Sequence, residues 1–319
     1  SGVATRTPLD CSGRSCEKGL FRDFENIWTY QPIFCNIQYS QNKIYMVNSY
    51  ASNTIMESQM KKDLWDGRQY KDNSSPQELS AISIINSIDF RDNDCILDVG
   101  CGDGRVTQRL CSLVPKGQVI GIDPSNSMIA EANKITCACH NLSFFEANAE
   151  DFEINMKFDY ILSFHSLHWT KDKTKMFNNV SNHLEANGTF IFVTAGRENH
   201  NISNVFTSKK WQDKIGSHGQ KFQAGDQEKI NQMLVDAGFF VESSKSEYRS
   251  SYYDKNEDLV SWLMTWVPYA TGLDNEESME FANEIAEHLK NQSIRDGIED
   301  KIEFKTEMLV ITACKQQST

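Results

Sequence analysis

From Cys95 onward, short apolar runs alternate with segments whose apolar positions recur every three or four residues. Cys95-Ile96-Leu97-Asp98-Val99 is a continuous apolar run stopped by glycines, the pattern of a strand buried on both faces. Helical spacing follows over 106–113 and closes at the turn Pro115-Lys116-Gly117. The same alternation predicts strands over 119–123, 142–147, 160–164 and 189–193, the last after an Asn187-Gly188 turn, with helices over 127–134 and 173–184 between them. Upstream, Ala81, Ile82, Ile84, Ile85 and Ile88 share one helical face behind the start signal Ser74-Ser75-Pro76. Past Val193 the regularity loosens. A helix over 228–237 is stopped by Gly238, 239–253 alternates like a strand, and 302–314 reads as a last strand. Between those two strands lie an amphipathic helix over 257–266, carrying Leu259, Trp262, Leu263 and Trp266, and a second helix over 276–291. Strands alternating with helices at this spacing predict a doubly wound α/β fold, a mostly parallel sheet covered on both faces.

The length of 319 residues suits one large domain with additions, at about 150 residues per domain as a soft guide. Residues 1–60 are of mixed polarity with no sustained period, so an irregular leader is expected there, and one domain over 61–319 with a helical cap over about 255–295. There is no apolar run of about 18 residues that would span a bilayer, so a soluble chain is expected. Acidic residues number 44 against 32 basic ones, a net charge of −12. With no long Lys/Arg cluster this balance disfavours a nucleic-acid partner. The nine cysteines include the spacings Cys11/Cys16, Cys95/Cys101 and Cys137/Cys139, none of which forms a paired CxxC zinc pattern. Scattered thiols, no metal and a reducing cytoplasmic location are the expectations. Oligomeric state is not legible.

The densest chemistry lies in Leu97-Asp98-Val99-Gly100-Cys101-Gly102-Asp103-Gly104, three glycines at alternate positions between a strand and a helix. Glycines there permit a tight turn and let a ligand approach the backbone at the carboxyl ends of the strands. The spacing is GxGxG and not the dinucleotide GxGxxG, and Asp98 stands two residues before the first glycine. A nucleoside also needs its ribose held, and Asp123, 23 residues after Gly100, ends the second strand of the pattern. Such an acid serves NAD and S-adenosylmethionine alike; capping the helix at Ser127 is its structural alternative.

These residues, with Gly121-Ile122-Asp123-Pro124-Ser125 and the following Met128-Ile129-Ala130, Asn148-Ala149-Glu150-Asp151, and Ser163-Phe164-His165-Ser166-Leu167-His168-Trp169, resemble the motifs of class I S-adenosylmethionine-dependent methyltransferases. Within that family the chain is similar to the carboxyl methyltransferases of the trans-aconitate and juvenile hormone acid groups. The resemblance is clear over 64–193. It implies a seven-stranded, mostly parallel sheet with an antiparallel last strand, and S-adenosylmethionine as cofactor. It further implies that Asp98, Gly100, Cys101, Gly102 and Gly104 hold the methionine part and that Asp123, with Pro124 and Met128 following, holds the ribose. Asn148 and Ala149 would lie by the adenine, with Asn148 standing where many relatives have Asp, and Ser163 and Phe164 would line the pocket near the sulfonium.

For the acceptor, Tyr70-Lys71-Asp72-Asn73-Ser74-Ser75-Pro76-Gln77 resembles the segment that closes over both ligands in that family. Gln77 and Trp169 match residues that orient a substrate carboxylate. The chemistry is sensible, because a carboxylate is already nucleophilic at neutral pH and needs alignment more than a base. His165 and His168 have two readings: a base if the acceptor is a hydroxyl or amine, at most a hydrogen-bond partner if it is a carboxylate. Trp262 and Trp266 either line an apolar acyl pocket or are plain core. The competing functions are methyl transfer to a hydroxyl, amine or carrier-bound acyl group, and a non-catalytic cofactor-binding scaffold.

Overall fold

The computed structural model describes residues 35–40, 43–48, 75–135, 139–196, 200–216, 225–298 and 300–316. Tyr70 and its neighbours up to Ser74 lie outside the described residues, as does most of the leader. Within the leader, β1 (Cys35–Ser40) and β2 (Lys43–Asn48) pair antiparallel, and β2 runs parallel to the short β6 (Glu153–Ile154). The alternation of Asn36, Gln38 and Ser40 with Cys35, Ile37 and Tyr39 is the sequence signal for this hairpin.

The main body runs α1 (Ser75–Ile85), β3 (Ile96–Val99), α2 (Arg105–Leu113), β4 (Val119–Asp123), α3 (Asn126–Ala132), β5 (Leu142–Glu146), β7 (Phe158–Phe164), α4 (Lys173–His183) and β8 (Leu184–Ala195). It continues through α5 (His200–Phe206), α6 (Lys209–Ile215), α7 (Gln227–Asp236), β9 (Phe239–Tyr253), α8 (Asn256–Leu263), α9 (Val267–Thr271), α10 (Asn275–Arg295) and β10 (Ile302–Lys315). Seven strands form one sheet in the order β5-β4-β3-β7-β8-β10-β9, and β10 is antiparallel to both neighbours. This is the doubly wound, mostly parallel sheet that the pattern predicts. The chain winds outward from β3 through β5 and returns to β7 on the other side of β3, so the winding reverses there and leaves a crevice at the carboxyl ends of β3 and β7.

Successive strand residues face opposite sides, which divides the core in two. Leu97, Val99, Ile120, Ile161, Phe190 and Phe192 meet Phe177 and Val180 of α4 and Ile230 and Leu234 of α7. Ile96, Val119, Phe144, Leu162 and Ile191 meet Leu110 of α2, Ile129 of α3 and Ile85 of α1. A third cluster joins α5, α6, α8, α9 and α10 through Trp211, Leu259, Leu263, Phe281, Ile285 and Leu289 with Phe304 of β10. At about 1.5–3 kcal/mol per fully buried large apolar side chain, this cap core is held firmly to the sheet.

Three local expectations change. The turn at Asn187-Gly188 does not precede the fifth strand of the pattern; β8 begins at Leu184 and residues 185–188 bulge from the ladder, with Asn187 at φ 65°. Helices α5 and α6 were not predicted, since Ile202, Val205, Trp211 and Ile215 offer too few repeats to establish a period. Cys111 and Cys139 are not scattered thiols: their sulfurs are joined, bringing together residues 28 apart in sequence.

Candidate active site

The turn after β3 is built by its glycines. Gly100, Gly102 and Gly104 have φ of 78°, 54° and 81°, the left-handed region that favours residues without Cβ. A Cβ on Gly100 would lie 2.2 Å from Cβ of Ser166, so the turn and the loop after β7 touch backbone to side chain. Ser166 cannot step aside easily: its Oγ bonds Val99 O at 3.0 Å and Oγ of Ser163 at 2.6 Å. Amides of Gly100 and Cys101 donate to Ile122 O at 2.7 and 3.0 Å, and Gly102 N donates to Oδ2 of Asp123 at 3.0 Å. The turn therefore offers a ligand close approach to a braced backbone at the end of the sheet.

Asp123 ends β4 half-buried, its Oδ1 accepting from Ser125 N at 2.9 Å. It does not cap α3; Ser125 does, accepting from Met128 N at 3.2 Å. Asp98 is buried at the end of β3 and accepts from Oγ1 of Thr107 at 2.7 Å. Burial raises its pKa to about 7, the Thr107 bond opposing and nearby Asp123 adding to the rise. The acid binds its proton more tightly folded than unfolded, so this contribution to stability is complete below about pH 4 and is lost as pH rises through 7. Asp98→Asn is expected to flatten that part of the pH dependence. Urea midpoints from pH 4 to 8 test it, and parallel curves for the two chains would refute it.

Asp98 and the glycine turn open onto a cleft lined by Gln77, Ala81, Asp98, Gly100, Cys101, Gly102, Phe164 and His165, and Asp123 stands behind the turn, bonded to Gly102 N, outside that lining. The cleft wall also carries Glu78, Asp103 and Arg105, which the sequence reading missed. Arg105 bonds Asp103 at 2.8 Å and Glu78 of α1 at 3.0 Å, fastening α1 to the start of α2. Its place directly after the glycine turn is a signal that reading could have used.

The remaining candidates scatter around the cleft. Gly104 stands at the head of α2, and Pro124 and Met128 flank Asp123 without joining the lining; Pro124 is exposed and Met128 buried. Asn148 is exposed after β5, its carbonyl accepting from Phe152 N at 3.0 Å, and Ala149 packs on the sheet core. The Ser163 hydroxyl is fully buried, donates to Val99 O at 2.7 Å and braces the turn.

On the acceptor side, His165 holds φ 57° after β7, and its Nε2 is buried with no hydrogen-bond partner. Such a backbone in a residue other than glycine marks local strain. Burial and nearby Arg249 of β9 lower its pKa to about 4. His168 is buried, its Nδ1 accepting from Ala195 N at 3.4 Å and its pKa lowered to about 3 by burial, His165 and Lys173. It is not among the residues that line the cleft. Trp169 is not among the residues that line the cleft and packs edge-on to Tyr269 at 5.0 Å. Gln77 reaches the cleft and its Oε1 accepts from Nε1 of Trp262 at 3.3 Å, with Trp266 5.8 Å further along the cap. Arg249 was missed as well; nothing in the sequence places β9 beside α1, where Arg249 bonds Oγ of Ser80.

Residues 90–238 match the model of a methyltransferase domain family. Over that span, a little under half of its length, the chain is similar to a methyltransferase domain. The malonyl-[acyl-carrier protein] O-methyltransferase of Bacillus anthracis is 30% identical over 166 residues, covering 50% of this chain and 61% of that one. The juvenile hormone acid O-methyltransferase of Bombyx mori is 32% identical over 137 residues, covering 40% and 49%. The chain thus spans about half to three fifths of the length of these relatives. Haemonchus contortus phosphoethanolamine N-methyltransferase 2, solved with S-adenosylhomocysteine, shares the fold at a TM-score of 0.51 and 17% identity, covering 79% of this chain and 57% of that one. Among the described residues, no helix is long and apolar enough to cross a membrane.

Proposed function

We propose that the chain binds S-adenosylmethionine and methylates the carboxylate of a small-molecule acid. The reading rests on one observation: the cleft joins the braced glycine turn and Asp98 on one side to Gln77, Phe164 and a neutral His165 on the other. The residues fit the cofactor. Gly100 to Gly102 permit contact with the methionine part, Asp123 is held in place by two backbone N–H groups beside them, and Asn148 and Ala149 follow the next strand for the adenine. When bound, S-adenosylmethionine supplies an electrophilic methyl carbon on a sulfonium.

The rest is alignment by the chain. With Oε1 of Gln77 bonded to Trp262, the amide NH2 is the group it offers to an acceptor oxygen. That donor orients a carboxylate without neutralising it, and Phe164 and Ala81 shield the reacting pair from water. A histidine base does not suit the site, because burial holds His165 and His168 far below their usual range. The juvenile hormone acid O-methyltransferase acts, by its name, on an acid, which supports the same acceptor class, whereas the malonyl-[acyl-carrier protein] enzyme names the competing carrier-bound acceptor.

The pH profile tests this. With a carboxylate acceptor and S-adenosylmethionine saturating, kcat/KM for the acid is expected to be flat from about pH 6 to 9 in Asp98→Asn, which removes the titration of Asp98 near 7, since the acid is ionised throughout and neither histidine titrates there. Initial rates of methyl-ester formation across an acid panel give the measurement. A rate rising through that interval would point to a hydroxyl or amine acceptor and overturn the proposal.

A further inference from the structure

We infer that Tyr253, Trp262 and Trp266 form a second, polar subsite, which takes an acid bearing a further hydrogen-bond-accepting oxygen, an oxo or second carboxyl group, away from the carboxylate that is methylated. This rests on the carboxylate reading above.

Trp262 is the hinge of the wall. Its ring lies 6.2 Å from Tyr253, 5.8 Å from Trp266 and 4.7 Å, edge-on, from Phe304. Its own N–H goes to Gln77, which lines the cleft, so one hydrogen bond links the wall to the glycine-turn cleft. Tyr253 closes β9 and Trp266 stands at the head of α9, so two separate elements converge on it.

The polar atoms decide its chemistry. Oη of Tyr253 and Nε1 of Trp266 are both buried, and neither has a hydrogen-bond partner in the protein. Buried polar groups are satisfied with few exceptions, so two orphaned donors around one ring call for explanation. Packing alone does not supply it, because phenylalanine would fill the same aromatic positions without the polar atoms. An indole N–H only donates, and burial raises the phenol's pKa, keeping its proton in place. Two donors match oxygen acceptors. They reject a plain hydrocarbon tail, which would leave both unsatisfied, and an ammonium, which has nothing to accept with.

Arg249 extends the match to a charged group. It lies four residues before Tyr253 on β9, hence on the same face of that strand, and Ser80 and Glu247 hold its guanidinium, the latter at 3.2 Å. It is also the cation that acts on His165. A second carboxylate at the wall would meet two neutral donors in its field.

The test uses the full chain saturated with S-adenosylhomocysteine and three acids matched in length: octanoic, 7-oxooctanoic and octanedioic acid. Calorimetry is expected to show the oxo acid or the diacid binding roughly tenfold or more tighter than octanoic acid. Preference for the diacid alone would assign the subsite to a carboxyl group, and equal preference to any oxygen acceptor. Tyr253→Phe and Trp266→Phe are each expected to shrink the preference while octanoic acid binding stays within about twofold. Three equal affinities, weak binding of all three, or Phe variants that weaken all three alike would overturn the subsite. So would a large fall in melting temperature on Tyr253→Phe, which would place that hydroxyl in a structural bond. Ester formed equally from all three acids would sink the subsite and leave the carboxylate reading standing. A binding preference without ester formation would do the reverse.

Discussion

Gly100→Ala is expected to lower affinity for S-adenosylhomocysteine at least about tenfold and to cost about 2–5 kcal/mol of stability. Two separate strains add. Alanine at φ 78° carries the left-handed penalty of about 1–2 kcal/mol. Its Cβ would also stand 2.2 Å from Cβ of Ser166, an overlap of the kind that costs about 1–3 kcal/mol in a packed interior. Ser166 is tied to Val99 O and Ser163, so relief requires moving the loop after β7, which carries Phe164 and His165 into the cleft. Adding Ser166→Gly should recover the share due to overlap and leave the share due to φ. Urea unfolding and calorimetry on the three chains measure both effects. Unchanged affinity and stability in Gly100→Ala would contradict the account of the turn.

Asp123→Ala is expected to reduce S-adenosylhomocysteine affinity by about two orders of magnitude. The carboxylate would lose its bonds to a ribose, and hydrogen bonds to charged groups contribute roughly 1.5–3 kcal/mol each. It would also release Gly102 N and Ser125 N, loosening the turn on which the ligand rests. Helix α3 should keep its N-terminus, because Ser125 remains its cap. Asp123→Asn separates the two causes. It keeps an acceptor for one of the two N–H groups and removes the charge, so its melting temperature should fall less than that of Asp123→Ala while affinity falls partway. Equal affinity in all three chains would remove Asp123 from the site.

How much of this is legible in the sequence follows from where each signal is local. The strands end in Val99, Asp123 and Phe164 with their turns immediately after, so the glycine turn, Asp98, Asp123 and His165 are readable in order along the chain. Gln77 reached the cleft through resemblance, and its bond to Trp262 joins residues 185 apart that no local pattern connects. Arg249 and Tyr253 stayed hidden for the same reason: β9 shows only alternation, and its place at the sheet edge depends on β10 inserting beside β8. The burial of Ser163 and His168 was not legible, because a polar residue beside a site reads the same whether it faces a ligand or braces the backbone. Burial distinguishes them, and burial is tertiary.

The central claim is that the cleft is an S-adenosylmethionine site and not a dinucleotide site. Calorimetric titration of the full chain with S-adenosylhomocysteine, repeated with NAD, tests it most directly. The account predicts saturable one-to-one binding of S-adenosylhomocysteine and none of NAD. Binding of NAD alone, or of neither, would contradict it.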